Sequence, residues 1–229
     1  QLRFDRLTIL VDLSRPAPTR WRDYSKGTRY SIRQAQRRLN IRRLTPGEGT
    51  IFRRCYEAGL ERNQAERNYY FRPDYYDAIL AMPWATAWVA ELDGEPLATA
   101  CFLRGGRFAH YHLSGGDERA RETFAHYGLL DMAIEHFAAQ GCRWMHLGGG
   151  RTNQPNDALL GFKAKFSSWR IPFYTGGLIY ARDAYDELSR GSNERFLSYR
   201  FPPAPEIGAK PIALRRTGRD DFPQFFRLK

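Results

Sequence analysis

Apolar and polar positions along the chain recur on two periods, and the change from one to the other marks the elements. Residues 4–13, FDRLTILVDL, are rich in β-branched and aliphatic side chains and predict a strand. Ser14, Pro16 and Pro18 then turn the chain. Between 28 and 39 the spacing of Ile32, Ala35 and Leu39 predicts a helix, with Arg29, Arg33 and Arg37 in an i, i+4, i+8 stripe on another face. Further helices are predicted over 46–67, with Phe52, Tyr56 and Leu60 inward, and over 73–82. Strands over 85–92, 96–103 and 107–114 are joined by Asp93-Gly94 and Gly105-Gly106, which reads as an antiparallel meander. A helix over 118–140 follows, with Phe124, Tyr127, Leu130, Ile134 and Phe137 in one stripe and Gly141 as its cap. A strand at 143–147, a helix at 158–166, a strand at 172–181 and a helix at 183–189 complete the periodic part. This order implies an α/β (α+β) fold with a mixed, mainly antiparallel central sheet flanked by helices. The expected organisation is a strand and basic helix in 1–45, a domain in 46–190 and an irregular basic tail in 191–229.

Composition then narrows the partners. The 229 residues are 42% hydrophobic and carry a formal charge of +11, which favours an anionic partner such as nucleic acid, a phosphorylated substrate or an anionic membrane surface. The charge is uneven: residues 1–54 hold 14 basic and 4 acidic side chains, 55–190 hold 14 and 17, and 191–229 hold 8 and 4. The middle is therefore mildly acidic, and the basic character belongs to the ends. No run of about 18 apolar residues is present, so no membrane-spanning helix is expected. Cys55, Cys101 and Cys142 are scattered without a CxxC pair, which fits core packing in a reducing cytoplasm better than a disulfide framework or a zinc knuckle.

Candidate chemistry gathers after residue 107. Strict alternation along that strand places Phe108, His110, His112 and Ser114 on one face and Tyr111 and Leu113 on the other. His110 and His112 are candidate proton acceptors, although paired histidines on a strand are commonly bystanders, and no third ligand at metal spacing accompanies them. LGGG at 147–150 follows a strand but lacks the Gly-Lys-Ser/Thr ending of a phosphate loop, so it reads as a turn beside a cleft where Arg151, Asn153 and Asn156 contact substrate. Lys163 in GFKAKF is, on spacing alone, a surface lysine of an amphipathic helix, with Lys165 its neighbour.

The strand ending in Ser114, Gly115 and Gly116, the helix carrying LLDMAIEHFAAQG, the strand closing on LGGG and the GFKAKF motif occur in an order that resembles the C-terminal GNAT domain of the Fem family. VDLS and SKGTRYSIRQAQRRLNI upstream are similar to that family's approach to the domain, so the resemblance covers about residues 4–182. Fem proteins are aminoacyl-tRNA-dependent transferases that build peptidoglycan cross-bridges. The resemblance implies amide formation on an amine acceptor, a peptidoglycan precursor linked to a nucleotide or lipid, with aminoacyl-tRNA as donor substrate and no tightly bound cofactor. It implies that Lys163 steadies the oxyanion of the tetrahedral intermediate or the ester's tRNA end, that Tyr111, Ser114, Gly115 and Phe162 contact substrate, and that Arg29 and Arg33 hold phosphates. The expected place of work is the cytoplasm, at the inner face of the membrane.

Two departures keep alternatives open. Fem proteins normally have two GNAT-like domains, and this chain has room for the second alone. In SGGDERARE the usual Gln/Arg-x-x-Gly-x-Gly/Ala pattern for a CoA pyrophosphate is missing, and Asp117, Glu118 and Glu122 would crowd it. Gly115, Gly116, Arg119 and Arg121 nevertheless leave an acyl-CoA-dependent N-acyltransferase as the alternative. A non-catalytic domain binding RNA or anionic lipid is the second alternative.

Overall fold

The computed structural model describes residues 2–152, 154 and 156–190. The expected tail at 191–229 lies outside the described residues, as does Asn153. Two compact units divide the chain, one of residues 4–174 and one of 1–3 with 175–229. In the second, the described part contains a helix, Arg182–Leu188, with an Arg182–Asp186 ion pair one turn apart.

The larger unit is built on a mixed sheet. In chain order its elements are β1 (Leu2–Asp12), α1 (Ala17–Asp23), α2 (Lys26–Arg38), β2 (Asn40–Arg43), α3 (Gly49–Arg62), α4 (Pro73–Leu80), β3 (Ala85–Leu92), β4 (Glu95–Gly105), β5 (Phe108–Gly116), α5 (Glu118–Glu122), α6 (Ala125–Ala139), β6 (Trp144–Gly149), α7 (Ala158–Lys163) and β7 (Arg170–Gly176). The strands lie in the order β2-β3-β4-β5-β6-β1-β7. The meander β3–β4–β5 is antiparallel, β2 joins it antiparallel to β3, and β1 is antiparallel to β6. β5 and β6 are parallel, with α5 and α6 forming the crossover that a parallel pair requires.

One core lies on each face of the sheet. Ile32 and Ala35 of α2, Leu129, Ile134 and Phe137 of α6 and Leu160 of α7 pack on Ile9, Val11, Phe102, Ala109, Met145 and Leu147. On the other face Phe52 and Tyr56 of α3 and Tyr76 and Ile79 of α4 cover Ala87, Val89 and Cys101. Residues 4–45 of the expected N-terminal stretch thus share a core with the rest of the unit. Arg20 in α1 is buried and binds both carboxylate oxygens of Glu135 at 2.7 and 2.8 Å, tying α1 to α6. All three cysteines are buried, and desolvation pushes the thiols of Cys55 and Cys101 up to about 11 and about 12, so neither supplies a thiolate near neutral pH.

Several elements depart from the periodicity: α1 and β2 form where no helix or strand was expected, and the helix over 158–166 ends at Lys163. Helix 46–67 is shortened to α3, because Asn63 and Gln64 leave the helical path and Gln64 takes a positive φ of 48°. Helix 118–140 is broken at Phe124, whose left-handed φ of 60° separates α5 from α6. Strand 172–181 is realised as β7, ending at Gly176. The alternation expected along β5 fails at a bulge: Cys101 faces Leu113 and Phe102 faces Tyr111, which leaves His112 as an extra residue. Leu113 therefore packs with α3 and α4, while Ser114 rejoins Tyr111's side, where its hydroxyl is buried without a hydrogen-bond partner among the described residues.

The end of β5 is pinned under α3. A Cβ on Gly115 would stand 2.4 Å from the Tyr56 Cα, and one on Gly59 would stand 2.9 Å from the Gly115 Cα, so the two backbones meet where neither carries a side chain. Gly115→Ala is expected to lower stability by about 1–3 kcal/mol, the usual cost of overpacking, read as a lower denaturant midpoint with unchanged slope.

Candidate active site

The β5–β6 ladder is short. Its partners are Phe108 with Trp144, Ala109 with Met145 and His110 with His146. Beyond that point β5 pairs with β4 alone through to Gly116, and Gly148 and Gly149 of β6 pair with Ile9 and Thr8 of β1. The two strands part, and their free edges face a gap in the middle of the sheet.

Lys163 fills that gap from the α7 side. Its side chain is only 8% exposed, its Nζ donates to the Gly149 carbonyl at 2.7 Å, and it sits 5.7 Å from the centre of the Tyr111 ring. One contact is to β6 and the other to β5. The ammonium makes no ion pair among the described residues. Burial lowers its pKa to about 8; the charge of Asp157 opposes this shift and that of Arg6 adds to it. Gly148 leaves room for the amine, since a Cβ there would lie 3.2 Å from Nζ, and its φ of +77° suits glycine.

Asp157 holds this arrangement in place. Its carboxylate accepts from the backbone N–H of Leu159 and Leu160, capping α7, and from the backbone N–H of Arg151 and Thr152 in the loop that leaves β6. Burial alone would raise its pKa, but the hydrogen bonds from Leu160, Thr152 and Leu159 outweigh this and hold it below the ordinary value.

The opposite side of the gap carries imidazoles. His110 and His146 meet edge to edge with nearly parallel ring planes, ring centres 5.2 Å apart and Nδ1 atoms 3.0 Å apart. His112, turned out by the bulge, meets the Tyr75 hydroxyl of α4 through Nε2 at 3.0 Å, and its ring centre is 6.3 Å from that of His110. Burial first, and then the neighbouring His146, His112 and Lys163, push His110 down to about 4. Burial likewise lowers His112 and His146, and the Lys163 charge adds to the effect on His146. All three are neutral at pH 7. The same face continues into an aromatic shelf of Phe108, Trp144 and Trp169, with Phe108 58% and Trp169 48% exposed and the two indoles 5.3 Å apart.

The structure thus brings together Lys163, Tyr111, Ser114, His110 and His112 of the residues singled out by sequence. Gly115, on the unpaired edge of β5, passes beneath α3, and Phe162, next to Lys163, packs edge-on against Tyr127. Arg151 and Asn156 are exposed on the loop before α7. Arg29 is engaged with carbonyls at the end of α1, those of Arg22 and Tyr24, and Arg33 lies over the Trp21 ring at 5.5 Å. His146 and Tyr75 belong to the site without having been expected. A histidine at a period-2 position of strand 143–147 was the available signal for the first, and only the pairing of β6 with β5 gives it meaning.

Residues 23–157 match the profile of the acetyltransferase (GNAT) domain. The chain belongs to the GNAT acetyltransferase-domain family. None of the curated proteins matches the sequence. Among solved structures, this GNAT chain is similar to FemX at 12% identity with a TM-score of 0.62, over 76% of this chain and 60% of that one. It is also similar to the C-terminal domain (DUF2156) of a protein named as a lysylphosphatidylglycerol synthetase from Agrobacterium fabrum, at 18% identity, TM-score 0.58, over 76% and 60%. L-PGS from Bacillus licheniformis aligns at 14% identity, TM-score 0.55, over 76% and 61%. These likenesses establish a Fem-like GNAT fold, and the chain spans about 60% of the length of the proteins it matches.

A buried ammonium without an ion-pair partner among the described residues strains the GNAT fold. Below pH 8 the folded state carries a buried charge that the unfolded state solvates freely, and the strain eases as pH rises from about 8 toward the ordinary lysine value. Lys163→Met is accordingly expected to raise the thermal midpoint at pH 7, with the gain shrinking above pH 9. A lower midpoint across that range would show that the amine instead stabilises the fold.

Proposed function

We propose that this GNAT domain forms an amide by moving an acyl group, most specifically an aminoacyl group from aminoacyl-tRNA, onto an amine acceptor. The observation that carries the reading is Lys163: a buried cation without an ion-pair partner among the described residues, held where β5 and β6 part. Such a charge is poorly placed for stability and well placed for catalysis. When an amine attacks an ester carbonyl, negative charge develops on the carbonyl oxygen, and an ammonium fixed in a site with little water stabilises it strongly. At a pKa of about 8 Lys163 is mostly protonated at pH 7 and donates to that oxygen.

The choice of donor is supported by the turn after β5. Asp117 caps α5 by accepting from the Ala120 N–H at 3.0 Å, and Glu118 stands in the first turn. Two carboxylates thus occupy the helix start at which a CoA pyrophosphate would need free N–H groups, which favours a donor that lacks one. For the acceptor, a peptidoglycan precursor is the expectation that the Fem-like fold supports, and a lipid-linked amine is a further candidate given the synthetase-like folds. Arg22, Lys26, Arg33 and Arg37 are exposed on α1 and α2 and make no ion pairs among the described residues, so they can meet phosphates of a tRNA or of such a precursor. No helix among the described residues is long and apolar enough to cross a membrane.

The test offers a pool of charged tRNAs and, separately, acetyl-CoA and longer acyl-CoAs to the protein with a panel of primary amines. Amide formation from aminoacyl-tRNA is expected. Lys163→Met should cut turnover by about 100- to 1000-fold, the scale for losing an oxyanion donor. Wild-type turnover should fall as pH rises through about 8, where the ammonium deprotonates, and Lys163→Arg should move that fall to higher pH. Turnover from acyl-CoA alone would establish the alternative donor. Unchanged turnover in Lys163→Met would remove the lysine from the mechanism.

A further inference from the structure

We propose that the aromatic shelf at the start of β5 and β6 is a docking surface for an anionic lipid bilayer. Docking stands apart from the transferase reading above, although it serves one branch of it, a lipid-linked amine acceptor. The surface is built from three sequence pairs, each an aromatic residue beside an arginine: Arg107 with Phe108, Arg143 with Trp144, and Trp169 with Arg170. The sheet sets these pairs side by side. Phe108 is the partner of Trp144 across β5 and β6, and the Arg107 carbonyl accepts from the Arg143 N–H at 2.7 Å. Trp144 lies opposite Asp12 of β1, and Leu10, two residues back along β1, donates its N–H to the Trp169 carbonyl at 3.1 Å. The two indoles consequently meet, with ring centres 5.3 Å apart.

Helices cover only part of this face. α3 and α4 lie on the meander, in an apolar cluster that includes no residue of β6, β1 or β7. Phe108 at 58% and Trp169 at 48% exposure therefore turn large apolar rings outward beside one another, the mark of a surface that meets a partner. The charge around them has one sign. Segments 103–110, 140–146 and 167–173 carry Arg104, Arg107, Arg143 and Arg170 and no acidic residue, although the stretch 55–190 as a whole holds more acidic than basic side chains. Arg107, Arg143 and Arg170 are exposed and make no ion pair among the described residues. The carboxylate facing the shelf is that of Asp12, whose Oδ1 accepts from the Ser14 N–H and hydroxyl. A locally basic, aromatic surface within a mildly acidic stretch is complementary to an anionic headgroup layer.

Ring geometry favours lipid over nucleic acid. A nucleic acid stacks its bases on free, flat ring faces. Arg143 already lies over the Trp144 ring at 5.3 Å, and the planes of the two indoles are inclined by 38°. A bilayer interface asks less: rings that reach the headgroup level with an apolar body, an indole N–H free to donate, and arginines beside them for the phosphates. The position also suits the site. Ala109 and Met145 point into the core beneath α2 and α6, so Phe108 and Trp144 lie on the opposite face from the basic helix pair, and a phosphate-bearing donor does not compete with a bilayer for one surface. Two residues, about 7 Å along the strands, separate the shelf from His110 and His146 at the vertex of the gap.

Vesicle binding tests the proposal. The whole protein should co-sediment with vesicles of phosphatidylglycerol mixed with phosphatidylcholine, less so as salt is raised, and not with phosphatidylcholine alone. Arg107→Gln, Arg143→Gln and Arg170→Gln together should weaken binding about 100-fold, at about 5-fold for each arginine near an anionic surface. Phe108→Thr with Trp169→Thr should weaken it about 10-fold or more through lost apolar contact, and circular dichroism should show both variants folded. Brominated lipid should quench the tryptophan fluorescence, and Trp144→Phe with Trp169→Phe should remove most of that quenching while binding persists. Wild-type affinity in both weakened variants would assign attachment to another basic part of the chain and overturn the proposal, as would a wild-type protein that ignores anionic vesicles. Loss of tRNA binding in these variants, with vesicle binding intact, would make the shelf an RNA surface instead. A dimer that dissociates in them, without vesicle binding by the wild type, would make it a contact between copies. A protein that docks and turns over no donor would leave docking standing and sink the transferase reading alone.

Discussion

The parting of β5 and β6 after His110 and His146 is the constraint on which the rest of the site depends. Two parallel strands that stop pairing leave backbone groups without sheet partners, and such groups in an interior must be met by something. Here β5 is held away by its bulge at His112 and by the close passage of α3 over Gly115, while β6 leans toward β1 through Gly148 and Gly149. The gap is thus enforced from both sides by backbone packing. Lys163 meets one of the exposed carbonyls, that of Gly149, and in doing so places its charge in the gap.

That placement sets the electrostatics of the neighbourhood. A buried ammonium depresses its own proton affinity through lost solvation and depresses that of His110 and His146 through its charge. One group is kept mostly charged and the others neutral at the same pH, a division that acyl transfer to an amine requires. The Asp157 carboxylate bonds at once to the loop leaving β6 and to the start of α7, so the lysine's helix cannot shift without the loop. Stability is given up at Lys163 and recovered in the two apolar cores on either face of the sheet.

The formal charge of +11 reads differently once the fold is known. α1 and α2 pack with α6 on the Lys163 side of the sheet, so their arginines border the same face from which the lysine enters. Part of that basic character is structural: Arg20 binds Glu135, Arg29 closes the end of α1, and Arg33 covers Trp21. Fewer of the cations on α1 and α2 are free than the count suggests, and Arg22, Lys26 and Arg37 remain exposed there.

Much of the architecture was legible in the chain, because helix and strand periods are local properties of side chains. The meander, the basic amphipathic helix, the small-residue turns and the lysine of GFKAKF all follow from residue order, and the Fem-like GNAT fold from their sequence. What periodicity could not carry was the bulge at His112, which a strand adopts in response to its neighbour and which moves Leu113 and Ser114 to faces opposite those that alternation assigns. Nor could it pair His146 with His110, 36 residues apart, or bring Tyr75 to His112. It also left Lys163 looking like a surface residue, since burial of a charge is decided by what packs around it. The sequence by itself determined the elements and the chemical groups available, through local period and composition. Which of those groups face one another across the gap was decided only by tertiary structure, because register, bulges and strand parting are properties of two chains of backbone in contact and of neither alone.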